Sequence, residues 1–183
     1  MFARTERLLL RPGWSEDAPA LYEAIRDERI VRNLAQAPWP YGLADAEAFL
    51  ARERAPHDVS CLIFLRTCGA PRLIGGIGIA RMADGLHELG YWISPLCWGL
   101  GFATEAGRAM IGNARHSLRL ERLAAGHFLD NPASGRVLAK LGFRPTGAVP
   151  RRYSAGRGGE APCRLFEPDL QDRAKRLPTA MAA

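Results

Sequence analysis

The sequence predicts an α/β (α+β) fold, a mixed and mostly antiparallel sheet flanked by helices, in one domain. Three observations carry that expectation. Segments rich in β-branched and aromatic residues alternate along the chain with segments whose apolar residues recur at helical spacing. Three strand-like runs, residues 59–66, 73–82 and 86–94, follow one another across turns containing Gly69 and Gly85, the pattern of an antiparallel meander. A chain of 183 residues that is 48% hydrophobic can bury one sizeable core and is short for two. The domain is expected over residues 1–170, with 171–183 as a polar tail.

Residues 5–11 read as the opening strand. Trp14, Ser15, Glu16 and Asp17 make a cap that leads into a helix through Leu21 and Ile25, with Ile30 as its outer limit. The turn residues Pro38, Trp39, Pro40, Tyr41 and Gly42 break the pattern. A second helix over 43–54 presents Ala46, Phe49 and Leu50 on one side, and Pro56 stops it. After the meander, Ala103, Ala106, Gly107, Met110, Ile111, Ala114 and Leu118 recur at helical spacing. Residues 123–129 then read as a strand, 131–141 as a helix, and 143–149 and 163–167 as late strands separated by a loop over 150–162.

The turn ahead of the central helix carries the strongest chemical signal. Pro95 closes the preceding strand, and Gly99 and Gly101 lie where a missing Cβ permits positive φ and close approach of a ligand. The first amides of the helix have no intrahelical partner and sit at the positive end of its dipole, so a phosphate there is stabilised twice. Two familiar phosphate loops are absent. No G-x-x-x-x-G-K-S/T occurs, and Gly99 and Gly101 lack the third glycine of the dinucleotide fingerprint. The stretch Trp98, Gly99, Leu100, Gly101, Phe102, Ala103 resembles the acyl-CoA pyrophosphate loop of the GNAT acetyltransferases, Gln/Arg-x-x-Gly-x-Gly/Ala. Trp98 in place of Gln or Arg, with Thr104, Glu105 and Ala106 following, is similar to the Rim-type branch, named for ribosomal-protein N-terminal acetyltransferases. A second stretch, Asn131, Pro132, Ala133, Ser134 and then Val137, Leu138, Lys140, Leu141, Gly142 and Phe143, resembles a further Rim-type motif. Asn131, Pro132 and Gly142 also suit a helix cap, a first helical position and a helix exit on purely structural grounds.

The resemblance covers residues 5–169 and implies the GNAT fold, in which the fourth and fifth strands, here 86–94 and 123–129, splay apart. Exposed backbone in the gap takes up the pantetheine arm as an added strand would. Tyr91, Trp92 and Ile93 are the implied pantetheine contacts, and Trp98, Gly99, Leu100, Gly101, Phe102, Ala103 and Thr104 the pyrophosphate turn. Asn131 and Ser134 are further implied cofactor contacts. The implied reaction is direct transfer of acetyl from acetyl-CoA, a co-substrate, to a primary amine within a ternary complex.

Such transfer requires a neutral amine, a donor to the thioester carbonyl and a proton for the departing thiolate. Many family members place a tyrosine where this chain has Leu138, so the donor to the thiolate is expected to be Ser134. A backbone amide near Ile93 would polarise the carbonyl. Glu88, at the start of the fourth strand, is similar in place to a glutamate of many family members, and the resemblance implies it as the base, directly or through water. His87 points to the opposite side of that strand, and both His87 and His127 read as sheet-edge residues. Glu105 reads as a structural partner near a helix start.

Two acceptors compete. A protein N-terminus calls for an open groove, and a small amine calls for a closed pocket lined by Trp39, Tyr41 and the late loop with Arg151, Arg152, Arg157 and Glu160. The alternative class is a non-catalytic CoA-sensing or interaction module. It would keep the 98–103 turn and tolerate loss of Glu88 and Ser134. A homodimer through the late strands is implied by the resemblance alone.

Composition narrows the field. The 25 Lys and Arg exceed the 19 Asp and Glu, for a formal charge of +6, but they are dispersed and accompany no nucleic-acid-binding signature. The groups around Arg151 and in residues 173–176 are the densest. The apolar run 61–65 is too short for a bilayer, which needs about 20 residues. The start carries charge between short apolar pieces, and a cytoplasmic location is expected. Cys61, Cys68, Cys97 and Cys163 have neither disulfide nor metal-ligand spacing, so no metal is expected.

Overall fold

A computed structural model describes residues 2–55, 58–66 and 69–168. The expected tail over 171–183, Pro56, Cys68 and the charged group at 173–176 lie outside the described residues. The opening strand is two short pieces, β1 (Ala3–Arg4) and β2 (Leu8–Arg11), paired antiparallel. The reason is local. Thr5 donates its amide to the Leu8 carbonyl and accepts the Leu8 amide on Oγ1, so Glu6 and Arg7 turn outward instead of entering the sheet.

The expected first helix is likewise two, α1 (Ala18–Ile25) and α2 (Glu28–Val31). Asp27 is extended between them and caps α2 by accepting the Arg29 amide. Helix α3 (Leu43–Ala51) precedes the meander β3 (Val59–Leu65), β4 (Arg72–Arg81) and β5 (His87–Ile93). Helix α4 (Phe102–His116) crosses over to β6 (Ala124–Phe128), followed by α5 (Pro132–Lys140) and β7 (Phe143–Pro145). The expected loop over 150–162 is instead a hairpin. Strand β8 (Arg151–Ser154) turns through Ala155–Arg157 into β9 (Gly159–Pro168). Pro162, which reads as a breaker, sits where β9 passes from pairing with β8 to pairing with β6.

The strands lie in the order β1-β2-β3-β4-β5-β6-β9-β7, with β8 paired to β9 off that path. All pair antiparallel except β5 and β6, which are parallel and joined through α4. The parallel pairing consists of Glu88 with Ala124 and Leu89 with Ala125, after which the two strands diverge. The fourth and fifth strands of the sequence reading are thus β5 and β6, and they splay. One core packs between the sheet and α4 and α5, with Leu89, Ile93, Met110 and Leu138. The other packs against α1, α2 and α3, with Leu21, Tyr41, Ala46 and Leu62. Strand β5 sits between them. Its odd residues Leu89, Tyr91 and Ile93 face α4 and α5, and its even residues Glu88, Gly90 and Trp92 face the other layer.

Candidate active site

The main-chain groups of β5 are divided in the same alternating way. Ser94 donates its amide to the Ile74 carbonyl, and Trp92 stands opposite Gly76 and Gly90 opposite Gly78. The backbone of these even residues is therefore committed to β4. The odd residues Tyr91 and Ile93 direct their N–H and C=O groups to the other edge, where β6 has departed. Trp98 fills part of that deficit by donating its indole N–H to the Ile93 carbonyl at 2.6 Å. The Ile93 amide, and both main-chain groups of Tyr91, face the gap. This corrects one expectation, because Trp92 contributes its side chain to the cleft wall while its backbone belongs to the sheet.

Beyond β5 the chain makes a 3₁₀ turn over Pro95–Cys97 and then enters the glycine turn. Gly99 has φ +77° and Gly101 φ +84°, a region that side-chain-bearing residues resist. Gly101 caps α4, and the first amide in the helix with an acceptor is that of Glu105, bonded to the Gly101 carbonyl. Among the described residues the amides of Phe102, Ala103 and Thr104 have no acceptor. Phe102 and Thr104 are largely buried.

The turn is braced by a residue that sequence reasoning missed. Arg7 donates to the Leu100 carbonyl at 3.1 Å, stacks on Phe102 and pairs with Glu105 at 2.7 Å. Glu105 also accepts from Thr5 and from the Arg7 amide. Burial raises its carboxyl, and these bonds and the Arg7 charge outweigh that and hold it below its ordinary value.

A cleft of about 350 Å³ opens between β5, the glycine turn, α2 and α5. Tyr91, Trp92, Ile93, Trp98, Gly99, Gly101, Phe102, Ala103, Thr104, Asn131 and Ser134 all line it. Leu100 departs from the expectation. It points to solvent and does not line the cleft. Asn131 caps α5 by accepting the Ser134 amide on Oδ1, which leaves its NH₂ group without a protein partner among the described residues. Gly142 has φ +88° just past α5, as a helix exit demands. Arg136 and Lys140 border the cleft from α5 and have no acidic partner among the described residues. Their charge suits a phosphorylated ligand, and only Lys140 belongs to a motif visible in the sequence. Leu138 is fully buried in the core and has no access to the cleft.

The two expected catalytic side chains stand on opposite faces of β5. On the α5 side, the Ser134 hydroxyl lies 2.7 Å from the Tyr91 hydroxyl. Glu88 is on the other side and outside the cleft lining, where Arg152 Nη1 donates to both its oxygens at 2.7 Å. Burial lowers the Arg152 guanidinium, and the Glu88 hydrogen bond and charge outweigh it and raise it above its ordinary value. Gly90, next on the same face, has no atom within 4 Å of where a Cβ would stand, so space adjoins Glu88. The neighbouring wall is held by Arg157, which donates to Asp130 and to the Arg32 carbonyl. His127 is structural, bonded to the Phe128 carbonyl and packed beneath Gly135 of α5. The His87 Nε2 atom is buried without a hydrogen-bond partner among the described residues.

Two residues expected to line a closed small-amine pocket are placed otherwise. Tyr41 belongs to the core beside Ala46, where burial and then Asp45 push its phenol up to about 12, and Trp39 is exposed. Among the described residues no group of His, Cys, Asp or Glu could hold a metal ion, and no helix is long and apolar enough to cross a membrane.

Residues 7–144 match the family model for the acetyltransferase (GNAT) domain. The chain belongs to the GNAT acetyltransferase family. It is an acetyltransferase. Among curated GNAT relatives, the chain is 31% identical over 161 residues to the N-acetyltransferase YoaA of Bacillus subtilis, covering 81% of this chain and 85% of that one. The fold is shared with a GNAT acetyltransferase from Bacillus anthracis, at TM-score 0.75 and 22% identity over 91% of this chain and 97% of that one. It is shared too with RimL, a ribosomal L7/L12 alpha-N-protein acetyltransferase whose structure holds coenzyme A, at TM-score 0.75 and 15% identity over the same shares.

Proposed function

We propose that this GNAT protein transfers acetyl from acetyl-CoA to a primary amine, directly and within a ternary complex. The observation that carries the reading is the splayed edge of β5. Its unpaired groups on Tyr91 and Ile93 lead to the amide cradle of Phe102, Ala103 and Thr104. An extended amide-bearing arm ending in a pyrophosphate fits that sequence of donors and acceptors.

In this reading the Ile93 amide donates to the thioester carbonyl. Glu88, reached through the gap on the far face, takes the proton of the incoming ammonium, directly or through water. The amine nitrogen then bonds to the carbonyl carbon and releases its second proton to solvent, the C–S bond breaks with its electron pair on sulfur, and the Ser134 hydroxyl donates a hydrogen bond to that sulfur, which takes up a proton from solvent as CoA thiol. The open space beside Gly90 and the burial of Tyr41 support an exposed acceptor site, such as the α-amine of a peptide would use, over an enclosed one.

The test is a screen of peptide N-termini and small amines, read by release of CoA thiol. Turnover with short peptides blocked by N-terminal acetylation of the same peptides supports the reading. Tight CoA binding with no thiol released by any acceptor would overturn it in favour of a sensing module.

A further inference from the structure

The odd positions of β5 that face α4 and α5 are Leu89, Tyr91 and Ile93. Leu89 and Ile93 are apolar and buried in the core beneath the helices. A phenylalanine at 91 would satisfy the same packing, so the Tyr91 hydroxyl is the departure that calls for a reason. That hydroxyl reaches the first turn of α5, 2.7 Å from Ser134 Oγ and 3.1 Å from the Ser134 carbonyl. The shorter contact is at the usual length of an O–H···O bond.

Each of the two hydroxyls has one proton, so the direction of the bond matters. If Ser134 donated to Tyr91, its proton would be turned away from the cleft. The Ser134 carbonyl, 3.1 Å away, can only accept, so it competes with Ser134 Oγ for the single Tyr91 proton; the 2.7 Å contact is the shorter of the two, and with Tyr91 donating to Ser134 Oγ the serine proton is left to point into the cleft that Ser134 lines. Burial pushes the Tyr91 phenol up to about 12, against the pull of Ser134, so it remains a donor throughout the neutral range. A hydroxyl that accepts one hydrogen bond is also polarised into a better donor of the next.

We propose that Tyr91 is a positioning residue of the acetyl transfer, whose hydroxyl donates to Ser134 Oγ and thereby aims the Ser134 proton at the leaving sulfur. The inference rests on the role given to Ser134 above. Tyr91 reaches the reacting atoms only through the serine.

The test is a double-mutant cycle of Tyr91→Phe and Ser134→Ala. It is read by CoA-thiol release with the amine that turns over fastest in the screen, and by the slower acceptor-independent hydrolysis of acetyl-CoA. Ser134→Ala lowers kcat about tenfold or more, and Tyr91→Phe lowers it about fivefold, as expected for one hydrogen bond. The acetyl-CoA KM and the CoA dissociation constant, measured by calorimetry, stay within about twofold of wild type. The double variant is no slower than Ser134→Ala, because the tyrosine has nothing left to orient.

If Ser134→Ala is slow while Tyr91→Phe matches wild type, or if the two losses multiply, this inference is overturned and the role of Ser134 stands. If Ser134→Ala itself turns over normally, the assignment of Ser134 fails and takes this one with it.

Discussion

Glu88→Gln separates two tasks of Glu88, the ion pair with Arg152 and the proton acceptance proposed for it. The substitution keeps the shape of the side chain and removes its charge, so it ends both proton acceptance and the ion pair with Arg152. The stability cost follows from burial. The Glu88 and Arg152 side chains are 18% and 30% exposed, and Arg152 Nη1 bonds both carboxylate oxygens at 2.7 Å. An exposed pair is worth up to about 1 kcal/mol, and breaking a fully buried one costs about 3–5 kcal/mol. A pair between those limits implies a loss of about 2 kcal/mol, or about 4–8 °C in Tm for a chain of this size.

The catalytic cost is separate. A positioned base contributes about 10²–10⁴-fold, so kcat should fall at least about a hundredfold. The internal control is Arg152→Met, which breaks the same pair and keeps the carboxylate. Both variants should lose Tm by similar amounts in circular-dichroism melts, and only Glu88→Gln should lose turnover, measured by CoA-thiol release at saturating acetyl-CoA. If Glu88→Gln turns over within about threefold of wild type, Glu88 is not the base. If Arg152→Met slows as much as Glu88→Gln, the pair shapes the acceptor site and performs no proton transfer.

Three other outcomes are expected. Gly101→Ala meets no clash, since its Cβ would stand 3.5 Å from Arg7 Nη2, but it holds φ +84° at a cost of about 1–2 kcal/mol. Relieving that strain rotates the amides of the cradle, so CoA affinity by calorimetry should weaken about tenfold; unchanged affinity would mean that the turn does not hold the phosphates. Arg136→Gln with Lys140→Gln should weaken CoA binding about fivefold or more at low salt, with the difference from wild type shrinking as ionic strength rises; a salt-independent difference would point to packing instead. Asp17→Asn removes one side of a largely buried pair, in which Arg11 donates to both carboxylate oxygens at 2.7 Å, and should cost about 3 kcal/mol. Burial raises the Asp17 carboxyl, and the Arg11 hydrogen bond, the Trp14 amide and the Arg11 charge outweigh it, so its folded value lies below the ordinary one. Its contribution is complete above the unfolded value near pH 4 and is lost as pH falls through the folded value. The stability difference between wild type and Asp17→Asn should therefore close in acid melts below about pH 4 and stay constant above it.

Features written in a few adjacent residues were legible in advance. The positive φ at Gly99 and Gly101, the Asn131 cap and the Gly142 exit each depend on one residue's own backbone preference, and each stands where the sequence reading put it. The meander was legible because glycine-containing turns separate strands of clear composition. The hairpin of β8 and β9 was not, because Pro162 reads as a break until it is known that the strand changes partners there. The opening strand and the first helix divided for equally local reasons, Thr5 and Asp27, whose side chains bond the neighbouring backbone and compete with the regular element.

The sequence by itself determined the type of fold and the cradle of amides ahead of α4, because these follow from glycine, proline and alternation along one segment, and its resemblance to the GNAT family implied the strand that faces the gap. Only the tertiary structure decided which side chains meet. Arg152 reaches Glu88 across 64 residues, Tyr91 meets Ser134 across 43, and Arg7 braces Leu100 across 93. No local preference encodes such pairs. They exist because β9 carries β8 to the far face of β5, α5 packs its first turn over Tyr91, and the turn after β1 docks on the start of α4. The same topology put Glu88 and Ser134 on opposite faces of one strand.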